Sequence, residues 1–327
     1  MKKDDAYLRD LNPYRKQMLS RALLALRDDI GNGDITTLAT LSQVQRKENA
    51  EIVVKEEGVL GGIFEARAIL EAGGLKVEFL KEEGESVEKG TVVGKVRGDV
   101  KQILIRERTA LDYLQIMSGI ATVCHRLAIR FPGKVASLRK THPGLAFSEK
   151  KGVRAGGALT HRLGLFDGFL IKDNHLAAIG RELFATSEFT EEQKISAIYE
   201  SLRRAEHYRR GHRLSRYFIE VEVESREQAL AAARNHRDRG VPDMILLDNM
   251  KPREVERCVK AIRETAGPSV LIEASGGITI ENFESFINAG VDVASMSSLT
   301  LNSRPLDISL KLVGYKQQLK GNSSENS

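Results

Sequence analysis

The chain has 327 residues, of which 41% are hydrophobic and 29% charged, and it carries a formal net charge of +5 at pH 7. This length and apolar content suffice for a sizeable core, so we expect one large domain with a smaller partner. The modest positive charge does not require nucleic acid as a partner. The absence of Trp, with only 6% aromatic residues, also leaves few stacking platforms for single strands.

The cysteines and the hydropathy pattern predict a cytoplasmic protein. Cys124 and Cys258 lie far apart and show no spacing typical of a metal site, so we interpret them as reduced thiols. No apolar run approaches the roughly 20 residues that cross a bilayer, and no apolar stretch typical of a signal peptide follows Met1. We therefore expect neither secretion nor membrane insertion.

The N-terminal part of the chain is predicted to form a small β-rich domain with one or two helices. Apolar residues alternate at the strand period in much of 50–100, and glycine turns separate the strands. Before this region, Asp34 and Thr36 are candidates to cap a helix that begins near Leu38. Residues 103–130 are predicted to form a long helix that is interrupted near Ser118-Gly119.

After residue 132 the pattern changes to strands that alternate with helices. The predicted strands cover 134–138, 168–172, 217–224, 243–247, 270–274 and 291–295. The predicted helices between the later strands cover 191–208, 226–237, 252–265 and 280–288. Continuous apolar strands that alternate with helices indicate a parallel sheet.

Polar residues stand at the carboxyl ends of these strands. They are Arg139, Lys172, Glu222, Asp248 and Ser275. An α/β barrel places its active site at this end of its strands. Because no glycine pattern typical of dinucleotide binding opens the first unit, we predict an α/β barrel rather than a doubly wound sheet.

The stretch 139–175 has the composition of an anion-binding pocket. It contains seven Lys and Arg residues, three acids and three of the seven histidines. Guanidinium groups match carboxylates and phosphates bidentately, and lysine adds a point charge. Any one of these cations is more typical of a surface ion pair, but four of them lie at strand ends. These four are Arg139, Lys140, Arg162 and Lys172.

Two acids at strand ends indicate a magnesium site. Glu222 and Asp248 have no His or Cys beside them, and Mg²⁺ prefers oxygen ligands together with substrate phosphates. The alternative is a solvent-facing acidic row, because Glu220, Glu222 and Glu224 share one face of a strand. Farther on, Ser275, Gly276 and Gly277 follow a strand and precede a helix, where backbone N–H groups can bind a phosphate.

Together with other ordered blocks, these residues show a resemblance to a known family. The blocks are Asp29-Ile30-Gly31, Gly33-Asp34-Ile35-Thr36-Thr37, Glu107-Arg108-Thr109-Ala110-Leu111, Ser118-Gly119-Ile120-Ala121-Thr122, Arg139-Lys140-Thr141, Pro143-Gly144-Leu145, Glu149-Lys150, Val153-Arg154, Gly156-Gly157, His161-Arg162, Gly164-Leu165, Lys172-Asp173-Asn174-His175, Glu220-Val221-Glu222-Val223, Leu247-Asp248-Asn249 and Ser275-Gly276-Gly277. These blocks follow one another in the order found in the quinolinate phosphoribosyltransferases, also called carboxylating nicotinate-nucleotide pyrophosphorylases. The chain therefore resembles this family.

The resemblance implies an incomplete α/β barrel with a smaller N-terminal α/β sandwich domain. We expect the N-terminal domain to cover 1–118, with 305–320 as a segment that could join it, and the catalytic barrel to cover 119–304. The tail 321–327 is predicted to be disordered. The resemblance also implies a homodimer with shared active sites and no membrane or nucleic-acid partner.

The implied enzyme is a glycosyltransferase of the pentosyltransferase type that acts in NAD biosynthesis. It transfers phosphoribose from phosphoribosyl pyrophosphate to quinolinate with decarboxylation, which gives nicotinate mononucleotide, pyrophosphate and CO₂. No nucleophilic side chain is needed, so the lack of a Ser/His/Asp constellation is expected. The cofactor implied is Mg²⁺.

The resemblance also implies roles for individual residues. Those expected at the carboxylates of quinolinate are Arg139, His161, Arg162 and Lys172, with Arg108 from the neighbouring subunit. Those expected at phosphoribosyl pyrophosphate and its Mg²⁺ are Lys140, Glu222 and Asp248, of which Glu222 and Asp248 are the metal ligands. Ser275, Gly276 and Gly277 are expected at the 5-phosphate.

The chain departs from the family pattern at several positions. These are Ser137-Leu138, Ala146, Thr160 and the segment from Ser297 to Asn302, and the last of them is expected to alter the phosphate site. One alternative is therefore a paralogue that acts on nicotinate or another pyridine carboxylate. A weaker alternative is a nucleic-acid-binding protein that uses the basic stretch 203–216, which we otherwise interpret as a solvated helix end and loop.

Overall fold

The computed structural model describes residues 7–313 of the chain. The tail predicted to be disordered, 321–327, lies outside these residues. The α-helices are α1 (Arg15–Ile30), α2 (Ile35–Leu41), α3 (Ile63–Glu71), α4 (Val100–Ala128), α5 (Ala146–Ala155), α6 (Asp173–Phe184), α7 (Glu191–Gly211), α8 (Arg226–Arg239), α9 (Pro252–Ala266), α10 (Phe283–Asn288) and α11 (Ser298–Leu301).

The strands form two main sheets and a short two-stranded ribbon. They are β1 (Lys47–Val54), β2 (Gly58–Val59), β3 (Lys76–Phe79), β4 (Ser86–Val87), β5 (Val92–Asp99), β6 (Val135–Ser137), β7 (Phe169–Ile171), β8 (Ile219–Val223), β9 (Met244–Asp248), β10 (Leu271–Ser275), β11 (Val293–Met296) and β12 (Ile308–Leu312). No helix within 7–313 is long and apolar enough to cross a membrane.

The described residues divide into two compact units. The first, which we call the parallel unit, consists of the described part of Met1–Arg9 with Phe131–Lys140 and Leu159–Ser298. The second, the antiparallel unit, consists of Asp10–Arg130, Thr141–Ala158 and the described part of Leu299–Ser327. The predicted boundary between residues 118 and 119 stays a prediction.

The antiparallel unit is built on a four-stranded sheet in the order β12-β1-β5-β3. Buried and partly exposed residues alternate along β1, where Ala50, Ile52 and Val54 face inward, as expected for a sheet covered on one side. Strand β12 pairs antiparallel with β1, and Ile52 lies opposite Leu310. The predicted antiparallel N-terminal α/β domain is confirmed by this sheet and by the helices packed on it.

Helix α4 is continuous from Val100 to Ala128, so the predicted interruption near Ser118-Gly119 is wrong. Both residues are buried and serve close packing instead. The Ser118 hydroxyl accepts a hydrogen bond from the Gly61 backbone N–H at 3.0 Å. A Cβ atom at Gly119 would lie 2.2 Å from the Arg304 carbonyl oxygen, so only glycine allows this backbone approach.

The helix cap predicted at Asp34 is confirmed. Its carboxylate accepts a hydrogen bond from the Thr37 backbone N–H at 3.0 Å and lies close to the Thr37 hydroxyl. The helix begins at Ile35, three residues earlier than the predicted start at Leu38.

The parallel unit contains a six-stranded sheet in the order β6-β11-β10-β9-β8-β7, in which every pair is parallel. Each of its strands overlaps a predicted strand, and helices α7 to α10 overlap the predicted helices. Strands β6 and β7 are the two edges of the sheet and do not pair with each other. The barrel is therefore open and incomplete. The predicted α/β fold is confirmed.

The segment that follows α5 and the start of the described chain line the β6 edge of this sheet. Leu159 pairs with Ala136 in a parallel bridge. The backbone N–H groups of Thr160 and His161 both donate to the Tyr7 carbonyl, at 2.9 and 3.0 Å. Tyr7 also belongs to a buried cluster with Ala136, Leu159, Phe218, Met244 and Val293, so the earliest described residue is part of the sheet's core.

The basic stretch 203–216 is largely neutralised within its own helix and neighbours. Arg203 and Arg204 pair with Glu200, and Arg209 pairs with Glu206 and Asp243. This pattern is typical of a solvated, ion-paired helix. It supports the interpretation of this stretch as a helix end rather than a nucleic-acid surface.

Candidate active site

The parallel sheet brings four of the predicted residues to one edge. Lys172 directly follows β7, Glu222 lies near the end of β8, and Asp248 and Ser275 end β9 and β10. Asp248 and Ser275 are direct partners in the strand register. Since the carboxyl ends of parallel strands share one edge, these side chains share one mouth of the barrel.

An ion pair lies at the β7–β8 side of this mouth. Lys172 Nζ donates to Glu222 Oε2 at 3.0 Å, and the lysine side chain is 43% exposed while that of the glutamate is 8% exposed. Burial raises the pKa of Glu222, and Lys172 opposes that rise. The Lys172 backbone is fixed as well, because its N–H donates to His175 Nδ1 at 3.0 Å at the start of α6.

Asp248 lies in the same electrostatic environment. Burial raises the pKa of its carboxyl, while Lys172 and Lys140 act to lower it. Glu222, which is buried, and Asp248, which is partly buried, therefore form a pair of carboxylates with two lysines nearby. Such oxygen donors suit a hard cation like Mg²⁺, so this donor set fits the metal that the sequence predicts.

Two arginines lie close together at this mouth. The Arg162 side chain is buried and donates to the Gly168 carbonyl at 3.3 Å. Burial and the nearby Arg139 lower the pKa of Arg162, while Glu220, Asp167 and Glu222 act to raise it. Arg139 itself is exposed. Two neighbouring guanidinium groups form a site for an anion with more than one negative charge.

The loop after β10 places backbone close to a neighbouring strand end. Gly276 has φ +85°, and a Cβ there would lie 2.2 Å from Asn249 Oδ1. The Asn249 N–H donates to the Ser275 carbonyl at 2.9 Å, and Asn249 has a left-handed φ of +54°. Glycine is thus required at Gly276, and the loop keeps its backbone accessible at Gly277.

His161 is oriented differently from the other predicted substrate ligands. Its side chain is buried, and Nε2 lies 3.3 Å from both Glu220 Oε2 and Glu273 Oε2. Its Nδ1 accepts a hydrogen bond from the Arg162 backbone N–H at 2.7 Å. Both ring nitrogens therefore face protein groups, and the role of His161 at the substrate carboxylates stays a prediction.

Arg108 belongs to the antiparallel unit. Its guanidinium is 62% exposed, and its ion pair within α4 is with Asp112, at 3.4 Å. An exposed pair of this kind contributes little to stability. Its predicted role in a neighbouring subunit's site stays a prediction.

Sequence reasoning missed a buried layer of the site. Tyr7, Glu220 and Glu273 are buried, and Tyr7 Oη donates to Glu273 Oε2 at 2.6 Å. The interpretation of Glu220 as part of a solvent-facing row is wrong, since Glu220 and Glu222 are buried and only Glu224 is exposed. The strand period gave no signal for this burial, because it is the same for a face that meets water and for one inside a barrel.

A cavity of about 230 Å³ adjoins this mouth beside α6 and α7. Its lining includes Glu222 and Asp173, together with Phe189 and Lys194. The cavity places open space next to the candidate metal ligand.

Comparisons with known proteins place these features in a family. Residues 34–118 match the N-terminal domain model of quinolinate phosphoribosyl transferase, and residues 120–311 match the C-terminal domain model. The two models together cover most of the described chain.

Curated relatives and solved structures agree with these matches. The chain is 36% identical, over 89% of its length and 97% of the relative, to a probable carboxylating nicotinate-nucleotide pyrophosphorylase of Methanothermobacter thermautotrophicus. It is 34% identical, over 88% of its length and 80% of the relative, to the mitochondrial quinolinate phosphoribosyltransferase 2a of Nicotiana tabacum. The crystal structure of NadC from Streptococcus pyogenes superposes with a TM-score of 0.75 at 30% identity, covering 93% of this chain and 99% of that one.

Proposed function

The chain belongs to the quinolinate phosphoribosyltransferase family, and we propose that its parallel unit carries out the family's reaction at the mouth described above. The reaction transfers phosphoribose from phosphoribosyl pyrophosphate to the nitrogen of quinolinate and releases pyrophosphate and CO₂. The product, nicotinate mononucleotide, is a precursor of NAD. The enzyme is thus a pentosyltransferase.

The observation that carries this proposal is the pairing of opposite charges at one edge of the sheet. Arg139 and Arg162 form a cationic surface, while Glu222 and Asp248 form an anionic one beside it. Quinolinate is a dicarboxylate, so the cations can bind it bidentately. Lys172 belongs to the anionic side, where it donates to Glu222.

The same charges suit the steps of the reaction. Departure of pyrophosphate leaves positive charge on the ribose, which nearby carboxylates such as Glu222 and Asp248 stabilise. Lys140, which faces Asp248, lies where it can contact the leaving phosphates. Attack by the ring nitrogen then produces a pyridinium, whose positive charge stabilises the carbanion left on the adjacent ring carbon when its carboxylate departs as CO₂. A proton from solvent then takes the place of that carboxylate.

Glu222 and Asp248 are the residues that would hold Mg²⁺. When bound, Mg²⁺ supplies Lewis-acid neutralisation of the pyrophosphate charge. The assignment is supported by the burial of Glu222, the partial burial of Asp248 and the lysine already paired to Glu222. Ser275, Gly276 and Gly277 are proposed at the 5-phosphate, where the glycine backbone is open to a ligand.

The proposal includes a homodimer that acts in the cytoplasm. The exposed guanidinium of Arg108, with only a weak ion pair on its own helix, is proposed to reach the neighbouring subunit's substrate. The two cysteines are free and buried, which suits a reducing compartment.

The test is turnover by the purified protein with quinolinate, phosphoribosyl pyrophosphate and Mg²⁺, followed as nicotinate mononucleotide and CO₂. Arg139→Ala and Lys140→Ala are each expected to abolish turnover while the thermal unfolding curve stays unchanged. Arg203→Ala, an exposed ion-paired arginine far along the chain, is the matched control and is expected to remain active. Consumption of nicotinate with quinolinate ignored would reject this proposal in favour of the paralogue.

A further inference from the structure

Beneath the mouth of the barrel lies a buried polar cluster that the reaction described above leaves without a role. It consists of Tyr7, His161, Glu220, Glu273 and Ser295, which are all buried in the parallel unit. Two buried carboxylates around one histidine are costly, because each charge must leave water. A cluster of this kind in a barrel interior requires a compensating function or unusually complete hydrogen bonding.

The hydrogen bonding is complete for one carboxylate and incomplete for the other. Glu273 accepts from Tyr7 Oη at 2.6 Å and from Ser295 Oγ at 2.5 Å. Burial opposes the ionisation of Glu273, but His161 and these donors outweigh it and lower its pKa. Neither carboxylate oxygen of Glu220 has a well-aligned donor among the described residues, and Glu220 approaches His161 at 3.3 Å.

The ring of His161 is held on all sides. The rings of Tyr7 and Phe218 pack against the His161 ring in T-shaped arrangements, with centroids 5.4 and 5.7 Å from its own. Nε2 points between the two carboxylates, and Nδ1 accepts the Arg162 N–H. No rotation of this ring is possible without breaking one of these contacts.

The backbone of His161 is strained in the way expected of a functional turn. Its φ of +51° lies in the left-handed region, which is unfavourable for a non-glycine residue. The turn is held by the Tyr7 carbonyl, which accepts from both Thr160 and His161. It directs the next side chain, Arg162, toward Gly168 and the mouth of the barrel.

From this geometry, and resting on the proposed function, we propose that Tyr7, Glu220 and Glu273 are positioning residues for substrate binding. They fix the His161 ring and, through its bond to the Arg162 N–H, the turn that presents the Arg162 guanidinium to the carboxylates of the substrate. Tyr7, from the start of the described chain, completes the site from beneath.

Glutamate-to-glutamine variants separate positioning from a simple effect of charge. If the two acids only set the local potential, removing one negative charge would tighten the binding of a dianion. If they fix orientation, Glu273→Gln weakens quinolinate binding by about tenfold, while the KM for phosphoribosyl pyrophosphate changes less than about twofold. Tyr7→Phe changes no charge and is expected to weaken quinolinate binding by about threefold.

The measurements are calorimetric titration of the full-length protein with quinolinate and steady-state kinetics of the same variants. The matched control is Glu224→Gln, which changes an exposed acid directly after β8, the strand that carries Glu220. This variant is expected to bind quinolinate like the wild type. An NMR spectrum of histidine-labelled protein should show a slowly exchanging Nε2 proton of His161 that shifts in Glu273→Gln and not in Glu224→Gln. If Glu273→Gln does not fold, Tyr7→Phe decides alone.

Three results would overturn the proposal. One is Tyr7→Phe binding quinolinate as tightly as the wild type, and another is Glu273→Gln binding it more tightly. The third is one equivalent of a divalent metal that co-purifies with the wild type and is lost with Glu220→Gln. The ligand atoms of His161, Glu220 and Glu273 lie within 4.8 Å of one another, so a metal there would make them ligands instead. A wild type that does not turn over quinolinate at all would instead reject the proposed function.

Discussion

The ion pair between Lys172 and Glu222 predicts that Glu222, the proposed metal ligand, competes with quinolinate for the Lys172 ammonium group. Glu222→Gln removes the partner of Lys172 Nζ, which lies 3.0 Å away. At that separation the gross attraction is about 5 kcal/mol for an effective dielectric constant of about 20. Because Lys172 is 43% exposed, solvent screening and desolvation reduce the net value to about 1 kcal/mol.

Freeing Lys172 by this substitution should therefore improve quinolinate binding by up to about fivefold. The assay is calorimetric titration with quinolinate in the absence of Mg²⁺ and phosphoribosyl pyrophosphate. The same variant should lose turnover, because Glu222 is also a proposed metal ligand. Quinolinate affinity and catalysis would thus change in opposite directions.

A double-mutant cycle shows whether the gain passes through Lys172. In a Lys172→Met background, Glu222→Gln should leave quinolinate affinity nearly unchanged, since no ammonium remains to be released. Glu224→Gln serves as the charge control. The reasoning is refuted if Glu222→Gln does not tighten binding, or if the gain is as large in the absence of Lys172.

Two further predictions follow from other parts of the structure. Gly119→Ala places a methyl group 2.2 Å from the Arg304 carbonyl oxygen and should lower the free energy of unfolding by more than about 2 kcal/mol in urea titrations. Gly211→Ala, with no atom within 4 Å of its Cβ position, is the control and should be neutral or stabilising. Arg108→Ala should abolish turnover and leave the unfolding curve unchanged. Mixing this variant with Lys140→Ala should restore up to about a quarter of the wild-type activity, because half of the dimers are then mixed and each mixed dimer has one intact shared site. If no activity returns, the shared site is contradicted.

The catalytic edge of the sheet was predictable because it depends on local pattern. Strand period and parallel topology place Lys172, Glu222, Asp248 and Ser275 together wherever the strands end, so the sequence needs only to locate those ends. Each of the six strands of the parallel sheet overlaps its predicted range. Arg162 is the exception: it was predicted at a strand end but follows no strand, and it reaches the mouth from the segment after Leu159.

The parts that sequence reasoning missed depend on contacts between distant segments. The period-2 pattern of Glu220, Glu222 and Glu224 is the same whether a strand face meets water or the interior of a barrel, so burial could not be assigned. Likewise, Gly119 indicates a helix break unless the carbonyl of Arg304 is known to approach it. The hydrophobic period of a segment predicts whether it forms a strand or a helix, but it does not identify the segment that packs against it.

The contact between Tyr7 and Glu273 spans 266 residues of chain. At synthesis rates of about 5–20 residues per second, the ribosome delivers Glu273 roughly 15–50 s after Tyr7 has been made. During that interval the Tyr7 hydroxyl has no carboxylate to donate to, because Glu273 has not yet been made. The core of the parallel unit around Tyr7 can therefore close only after β10 and β11 have been made, and a bulky fusion placed ahead of Tyr7 should slow this closure.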